Sequence, residues 1–142
     1  LSAPAAIADV VVDASITLAW LLGETETAEP VMREAERRGI LAPALWVLEI
    51  ANGIAMAARR KRIQSNQRQI LLKLVAGLSI SLDPARTLAD ALEIDALAAR
   101  HDLTIYDAAY LELAIRRRSA LASLDRDLRA AAAREGVPVL PA

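Results

Sequence analysis

Four acidic residues, Asp13, Glu49, Asp107 and Asp125, stand where solubility alone does not explain a carboxylate. Asp13 ends the run Val10-Val11-Val12, and Asp125 directly follows Leu121-Ala122-Ser123-Leu124. Continuous apolar, β-branched residues read as a strand buried on both faces. Burying an unpaired charge is costly, so both acids belong just past strand ends, in the crevice where open α/β sheets bind ligands, or beside a metal or partner that neutralises them. Glu49 lies inside an apolar helix whose neighbours at helical spacing are Leu45, Trp46, Asn52 and Gly53, none of them a cation. Asp107 sits three residues after Thr104 at a helix start, where an acid is tolerated and can face a site. Each acid also has a purely structural reading. Asp125 can be the N-cap of the helix it precedes, Asp107 the partner of Thr104 in a capping arrangement, and Glu49 a surface glutamate.

The missing residue types narrow the chemistry. The chain has no Cys and one histidine, His101, placed to serve as a cation at a helix C-terminus. Ser/His and Cys/His nucleophilic schemes therefore lack their usual base, and thiolate or His-rich metal sites are excluded. Neither a GxGxxG run nor a P-loop lysine motif is present, which argues against dinucleotide and Walker-type nucleotide binding. What remains is a carboxylate cluster. Hard oxygen ligands suit Mg²⁺ or Mn²⁺, and magnesium typically takes one or two carboxylates, waters and substrate phosphate.

A net charge of -1 and a pI near 5.9 provide no global attraction to nucleic acid or anionic lipid, so a polyanion must be held by local patches or a metal. The two basic runs, Arg59-Arg60-Lys61-Arg62 and Arg116-Arg117-Arg118, both end helices. They read equally as solvated charge favoured by the helix dipole or as phosphate contacts. Trp20, Trp46, Tyr106 and Tyr110 are the only aromatics, too scattered for a base-stacking surface, and most of them read as core.

Positioning these residues requires a fold of alternating elements. The spacing predicts strands at about 8–13, 40–42, 78–82, 119–124 and 137–140. Helices are predicted over 16–22, 26–38, 44–62 and 65–76, from the pair Asp83-Pro84 to about Arg100, from Thr104 to Arg118, and over 125–135. Gly23, Gly39, Gly77 and Gly136 read as helix stops, and the alternation of Leu78 to Leu82 suits an edge strand. Strands alternating with helices imply a parallel sheet of four or five strands covered on both faces: an α/β, three-layer sandwich of Rossmann-like topology. At 142 residues and 55% hydrophobic, the chain reads as a single domain spanning 1–142, with 1–7 a flexible lead-in. Its apolar stretches are too short to span a bilayer, and the absence of Cys is compatible with the cytoplasm. Beginning on Leu1 rather than Met points to a native start upstream.

Four stretches together resemble the motifs of PIN-domain ribonucleases, and of the VapC-like toxins of type II toxin–antitoxin pairs in particular. These are Val10 to Ser15, Pro43 through Glu49 to Asn52, Leu103 to Ala114, and Leu121 to Leu128. Each is weak alone, but the ordered set spans nearly the whole chain. The resemblance implies a PIN-like fold, an Mg²⁺- or Mn²⁺-dependent endoribonuclease, an RNA substrate, a cognate antitoxin and a homodimer. It assigns metal ligation to Asp13 and Asp107, with Glu49 and Asp125 completing the acidic pocket and Ser15 and Ser123 as small hydroxyl positions. Asp127 is a second candidate for the fourth acid.

Two other functions stay open on the residues. One is a phosphatase or phosphotransferase of the haloacid dehalogenase-like kind with Asp13 as nucleophile, although that pattern carries a second Asp where this chain has Ser15. The other is a non-catalytic PIN-like interaction module.

Overall fold

The computed structural model describes residues 8–24 and 26–142, so the expected lead-in at 1–7 lies outside the described residues. Five strands, β1 (Val10–Val12), β2 (Ile40–Pro43), β3 (Ile80–Asp83), β4 (Ala120–Ala122) and β5 (Val139–Leu140), form one parallel sheet in the order β3-β2-β1-β4-β5. Seven helices connect them: α1 (Ala14–Leu22), α2 (Ala28–Arg38), α3 (Trp46–Arg59), α4 (Gln67–Ala76), α5 (Ala91–His101), α6 (Ile105–Arg117) and α7 (Arg126–Arg134). This is the expected three-layer sandwich.

The pleat sorts the strand residues between two cores. Val11, Leu41 and Leu121 point to one face, against Ile50 and Ile54 of α3, Leu111 and Leu113 of α6, and Leu128 of α7. Val10, Val12, Ile40, Ala120 and Ala122 point to the other, against Ile16 of α1 and Val31, Met32 and Ala35 of α2. All three residues of β1 are fully buried, as are Leu121 and Ala122 of β4, which accounts for the unbroken apolar runs in the sequence. A smaller cluster of Ile94, Ala98, Ala108 and Ala109 holds α5 on α6.

Strand order turns at β1. The chain runs outward through β2 and β3, then returns to place β4 on the opposite side of β1, so β1 and β4 flank the switch point of the sheet. Crevices at such points, outside the carboxyl ends of the strands, are where open α/β sheets bind ligands. Asp13 follows β1 and Asp125 lies just past β4 at that crevice.

Several boundaries differ from the sequence reading. The Asp83-Pro84 pair does not open a helix. Asp83 closes β3 in register with Pro43, and its buried carboxylate is paired with Arg116 (2.8 Å) and Arg86 (3.6 Å). The helix is instead prepared by Thr87 and Asp90. Asp90 donates its N–H to Thr87 Oγ1 at 3.2 Å, and Asp90 Oδ2 accepts from the backbone N–H and hydroxyl of Thr87 at 3.0 Å. Such reciprocal bonds satisfy amides that no helical carbonyl reaches. Helix α3 runs over 46–59 rather than 44–62, because Lys61 adopts the left-handed conformation (φ 58) and turns the chain away. In the first crossover, α1 begins at Ala14 rather than Ile16, with Asp13 itself as its N-cap.

Candidate active site

Asp13 is 4% exposed, and both its oxygens are occupied. Oδ1 accepts the hydroxyl of Ser15 at 2.5 Å and the N–H of Ile16 at 3.2 Å, the latter being the cap of α1. Oδ2 accepts the hydroxyl of Ser123 in a short hydrogen bond. The same two serines tie the end of β4 to the end of β1. Ser15 Oγ accepts the N–H of Leu124 at 3.1 Å, and Ser123 Oγ accepts the N–H of Asp125 at 3.0 Å. The expected hydroxyl positions therefore hold the carboxylate and the loop opposite it in one frame.

Burial pushes the pKa of Asp13 up to about 6, against three hydrogen bonds that pull it down, and repulsion from Asp107 adds to the rise. Desolvation thus outweighs the polar frame. Asp107, half-buried in the first turn of α6, is also raised, first by burial and then by repulsion from Asp125 and, less strongly, Asp127. Its own N–H donates to Thr104 Oγ1 at 3.1 Å, so the capping reading holds for the backbone while the carboxylate faces the other acids. Glu49, half-buried on α3, is raised by burial and then by Asp107, and is pulled down by the hydroxyl of Tyr110, which donates to Oε1 at 2.6 Å. Asp125 is exposed and caps α7, its Oδ1 accepting the N–H of Leu128 at 2.8 Å.

Asp107 is the common member, repelling both Asp13 and Glu49 and itself repelled by Asp125. The structure therefore brings together all four acids that sequence reasoning singled out, at the N-termini of α1, α6 and α7 and in the first turn of α3. Helix N-termini carry partial positive charge and favour anions there. Between Asp125 and Asp127, the former acts more strongly on Asp107.

No three His, Cys, Asp or Glu side chains among the described residues converge closely enough to cage a metal. That does not conflict with a magnesium-type site, which takes one or two carboxylates and completes its shell with water. The donors present are carboxylate and hydroxyl oxygens, hard ligands whose mutual repulsion a divalent cation relieves, so the residues fit such an ion.

Three features were not read from the sequence. Tyr110 was placed among core aromatics; it is 1% exposed, yet its hydroxyl is the partner of Glu49. Its spacing of three residues from Asp107 on α6 was the available signal. Arg116, read as a solvated or phosphate-binding cation, is instead bonded to Asp83 at 2.8 Å and to Glu112 at 3.0 Å, joined there by Arg86 at 3.0 Å from Glu112. Two buried carboxylates claim it, and neither showed its burial in local spacing. Tyr106 is the exception among the four aromatics, most of which read as core: it is 63% exposed. His101 ends α5, the position expected for it, and its Nε2 lies 2.7 Å from Glu135.

A cleft of about 380 Å³ opens between the segment that leads into α3, the connection from β3 to α5, and helices α5 and α6. Leu45, Pro84, Leu88, Ile105 and Tyr106 form its apolar walls, Asp83, Arg86, Glu112 and Arg116 supply its polar groups, and none of the four acids lines it.

Comparison with known proteins agrees with this fold. The family model described as "PIN domain" matches residues 10–134. Ribonuclease VapC3 of Pyrobaculum aerophilum is 35% identical over 125 residues, covering 84% of this chain and 91% of that protein. The crystal structure of PAE2754 from Pyrobaculum aerophilum superposes with a TM-score of 0.68 at 23% identity, over 90% of this chain and 87% of that one, a likeness of fold.

Proposed function

Because the chain belongs to the PIN-domain family, we propose that its acidic crevice is the active site of an Mg²⁺- or Mn²⁺-dependent endoribonuclease, the toxin of a toxin–antitoxin pair. The observation that carries this reading is Asp13, a carboxylate buried at the switch point of the sheet and repelled by Asp107, where burial makes its charge costlier than in water and a cation would offset that cost. Asp13 and Asp107 would hold the ion, directly or through water. A bound divalent ion supplies a Lewis acid for the phosphate and a more acidic water.

The chain's own groups do the rest. Ser15 and Ser123 lock the orientation of Asp13, so its carboxylate does not rotate away when the crevice fills. Tyr110 holds Oε1 of Glu49, leaving Oε2 to orient water or accept its proton. Asp125, fixed by its capping bond, presents a second carboxylate oxygen from the opposite wall. The aspartyl-nucleophile alternative is weakened by Ser15, which stands where that pattern carries its second Asp and here donates its hydroxyl to Asp13.

Two partners belong to this reading. An antitoxin segment carrying Arg or Lys would pair with Asp13, Glu49 or Asp107 and compete with the cation. A second copy of the chain would form an isologous dimer over apolar surface beside the site, where Leu88 is 89% and Leu92 74% exposed. Among the described residues no helix is long and apolar enough to cross a membrane. RNA and antitoxin would both be met in the cytoplasm.

The test is a melting-temperature titration with Mg²⁺ and Mn²⁺ paired with cleavage of a broad RNA panel, on wild type, Asp13→Asn and Asp107→Asn. Wild type is expected to gain stability with the ion and to cut, and both variants to lose cleavage while staying folded. No thermal shift and no cleavage would leave the interaction-module reading. Equal cleavage in chelator would remove the metal from the mechanism.

A further inference from the structure

The two basic runs of the sequence differ in how far carboxylates neutralise them: of the second, Arg116 is taken, while Arg117 and Arg118 are exposed and in no ion pair among the described residues. Arg116 is committed to Asp83 and Glu112, and Arg33, Arg37, Arg38, Arg86 and Arg100 are likewise held by carboxylates. The run at the end of α3 is not. Arg59, Arg60 and Lys61 are exposed, and none is ion-paired with a carboxylate among the described residues; Arg62 is paired with Glu24. No acidic residue occurs from Ile50 to Leu82, a stretch that also holds Arg68 and Lys73. In a chain of net charge -1, this concentrates positive charge on one surface.

That surface is shaped. A cleft of about 620 Å³ lies in the turn between α3 and α4, lined by Arg59, Lys61, Arg62, Gln64, Ser65 and Gln67. Every one of these side chains can donate hydrogen bonds. Neutralising the negative end of the α3 dipole requires cations only in its last turn. Lys61 and Arg62 lie beyond it, in a turn where Lys61 takes a left-handed conformation uncommon for a side-chain-bearing residue.

Helix α3 also relates this cleft to the acids. Arg59, in its last turn and on the wall of the cleft, is ten residues from Glu49, which at 100° per residue is about 80° short of three turns, so the cleft and the acid lie along one helix on adjoining sides. At 1.5 Å per residue they are about 15 Å apart along the axis. A stacked strand carrying a phosphate every ~3.4 Å spans that gap in four or five nucleotides.

We infer that the cleft between α3 and α4 is a phosphate-backbone subsite, holding single-stranded RNA upstream or downstream of the bond presented to Asp13 and Asp107. The inference rests on the ribonuclease reading. An arginine or lysine here adds affinity without reading sequence, because phosphates carry none. It also resolves how a slightly acidic protein with a carboxylate-lined crevice retains a polyanion: attraction and chemistry are placed at opposite ends of one helix.

The experiment compares wild type with the triple variant Arg59→Gln/Arg60→Gln/Lys61→Gln. Binding of a labelled single-stranded RNA of about 20 nucleotides is followed by anisotropy in chelator, where no cleavage occurs, as salt is raised. Loss of three phosphate contacts is expected to reduce the slope of log affinity against log salt by about 2 and to weaken binding at least tenfold. With metal restored, KM for the same RNA should rise at least as much at unchanged kcat, while cleavage of a dinucleotide, too short to reach the cleft, stays the same. Arg59→Lys/Arg60→Lys should restore binding, since the contacts are to charge, and unchanged melting temperatures show that the fold is intact. An unaltered slope and affinity in the triple variant overturns the inference and leaves the nuclease reading intact. So does displacement of the RNA by poly-glutamate at equal charge, which would assign the surface to an acidic protein. Wild type that binds with the expected slope but cuts nothing sinks the nuclease reading alone.

Discussion

The hydroxyl of Tyr110 donates to Oε1 of Glu49 across 2.6 Å, joining α6 to α3 at the mouth of the acidic crevice. Both burial and the neighbouring carboxylate raise the pKa of the phenol well above its ordinary value, so it remains a neutral donor at any working pH. Because this bond favours the charged form of Glu49, it opposes the burial and the Asp107 repulsion that raise that carboxyl. Tyr110→Phe removes only the oxygen. The acid limb of the kcat/KM profile for RNA cleavage is expected to move to higher pH, with a stability loss of about 1 kcal/mol. An unchanged profile would show that Glu49 takes no part in the pH-dependent step.

Asp13 links stability to pH, with a sign set by its raised pKa. The folded state holds the proton up to about pH 6, whereas the unfolded chain releases it near 3.8. Its contribution is therefore fully present below about pH 4 and lost as pH rises through about 6, amounting to about 3 kcal/mol. In chelator, the unfolding free energy of wild type minus that of Asp13→Asn should fall across this window and level off above it. Denaturant titrations at a series of pH values measure the difference directly, and a flat line would contradict the assigned burial cost.

Divalent cations should cancel that loss. At neutral pH the wild type is expected to gain more melting temperature from Mn²⁺ than either Asp13→Asn or Asp107→Asn, since each substitution removes ligand charge. Equal shifts in all three proteins would place the ion elsewhere.

Arg116 has a structural duty. Arg116→Ala leaves Asp83 and Glu112, 6% and 9% exposed, with Arg86 as their remaining cation. Removing one partner of such a buried network costs on the order of 3 kcal/mol. Thermal melts should show this loss, while the salt dependence of RNA binding stays that of wild type. A reduced salt slope would mean that Arg116 also reaches phosphate.

The apolar surface beside the site is expected to be covered in solution by a second copy. Leu88→Glu/Leu92→Glu changes two exposed residues and should convert a dimer to a monomer without unfolding it. Light scattering decides this, and a monomeric wild type at micromolar concentration would sink the dimer.

How far the sequence reaches differs between the site's parts. Asp13 and Asp125 were legible because an apolar run that stops on a carboxylate leaves few places for the charge, and a parallel sheet brings strand ends to one edge. Glu49 was legible from the absence of any cation at helical spacing, a local fact. The fold class followed from alternation, since each crossover between parallel strands needs a helix to return the chain. What the chain order does not carry is pairing between distant surfaces. Asp83 read as a helix cap because Asp-Pro is a strong local start signal; a partner 33 residues away, Arg116, made it the buried end of a strand. Tyr110 and Glu49 are 61 residues apart, and no spacing rule brings a phenol to that carboxylate. The two arginine-rich runs look alike in sequence, and only the tertiary pairing of Arg116 with Asp83 and Glu112 takes one guanidinium out of the second, leaving Arg117 and Arg118 facing water as Arg59 and Arg60 do. Local pattern thus determined the elements and the acids they carry, because those depend on periodicity and on the cost of burying charge. Which charges are satisfied, and so which remain available to a substrate, depends on contacts across the sheet and was decided by the tertiary structure.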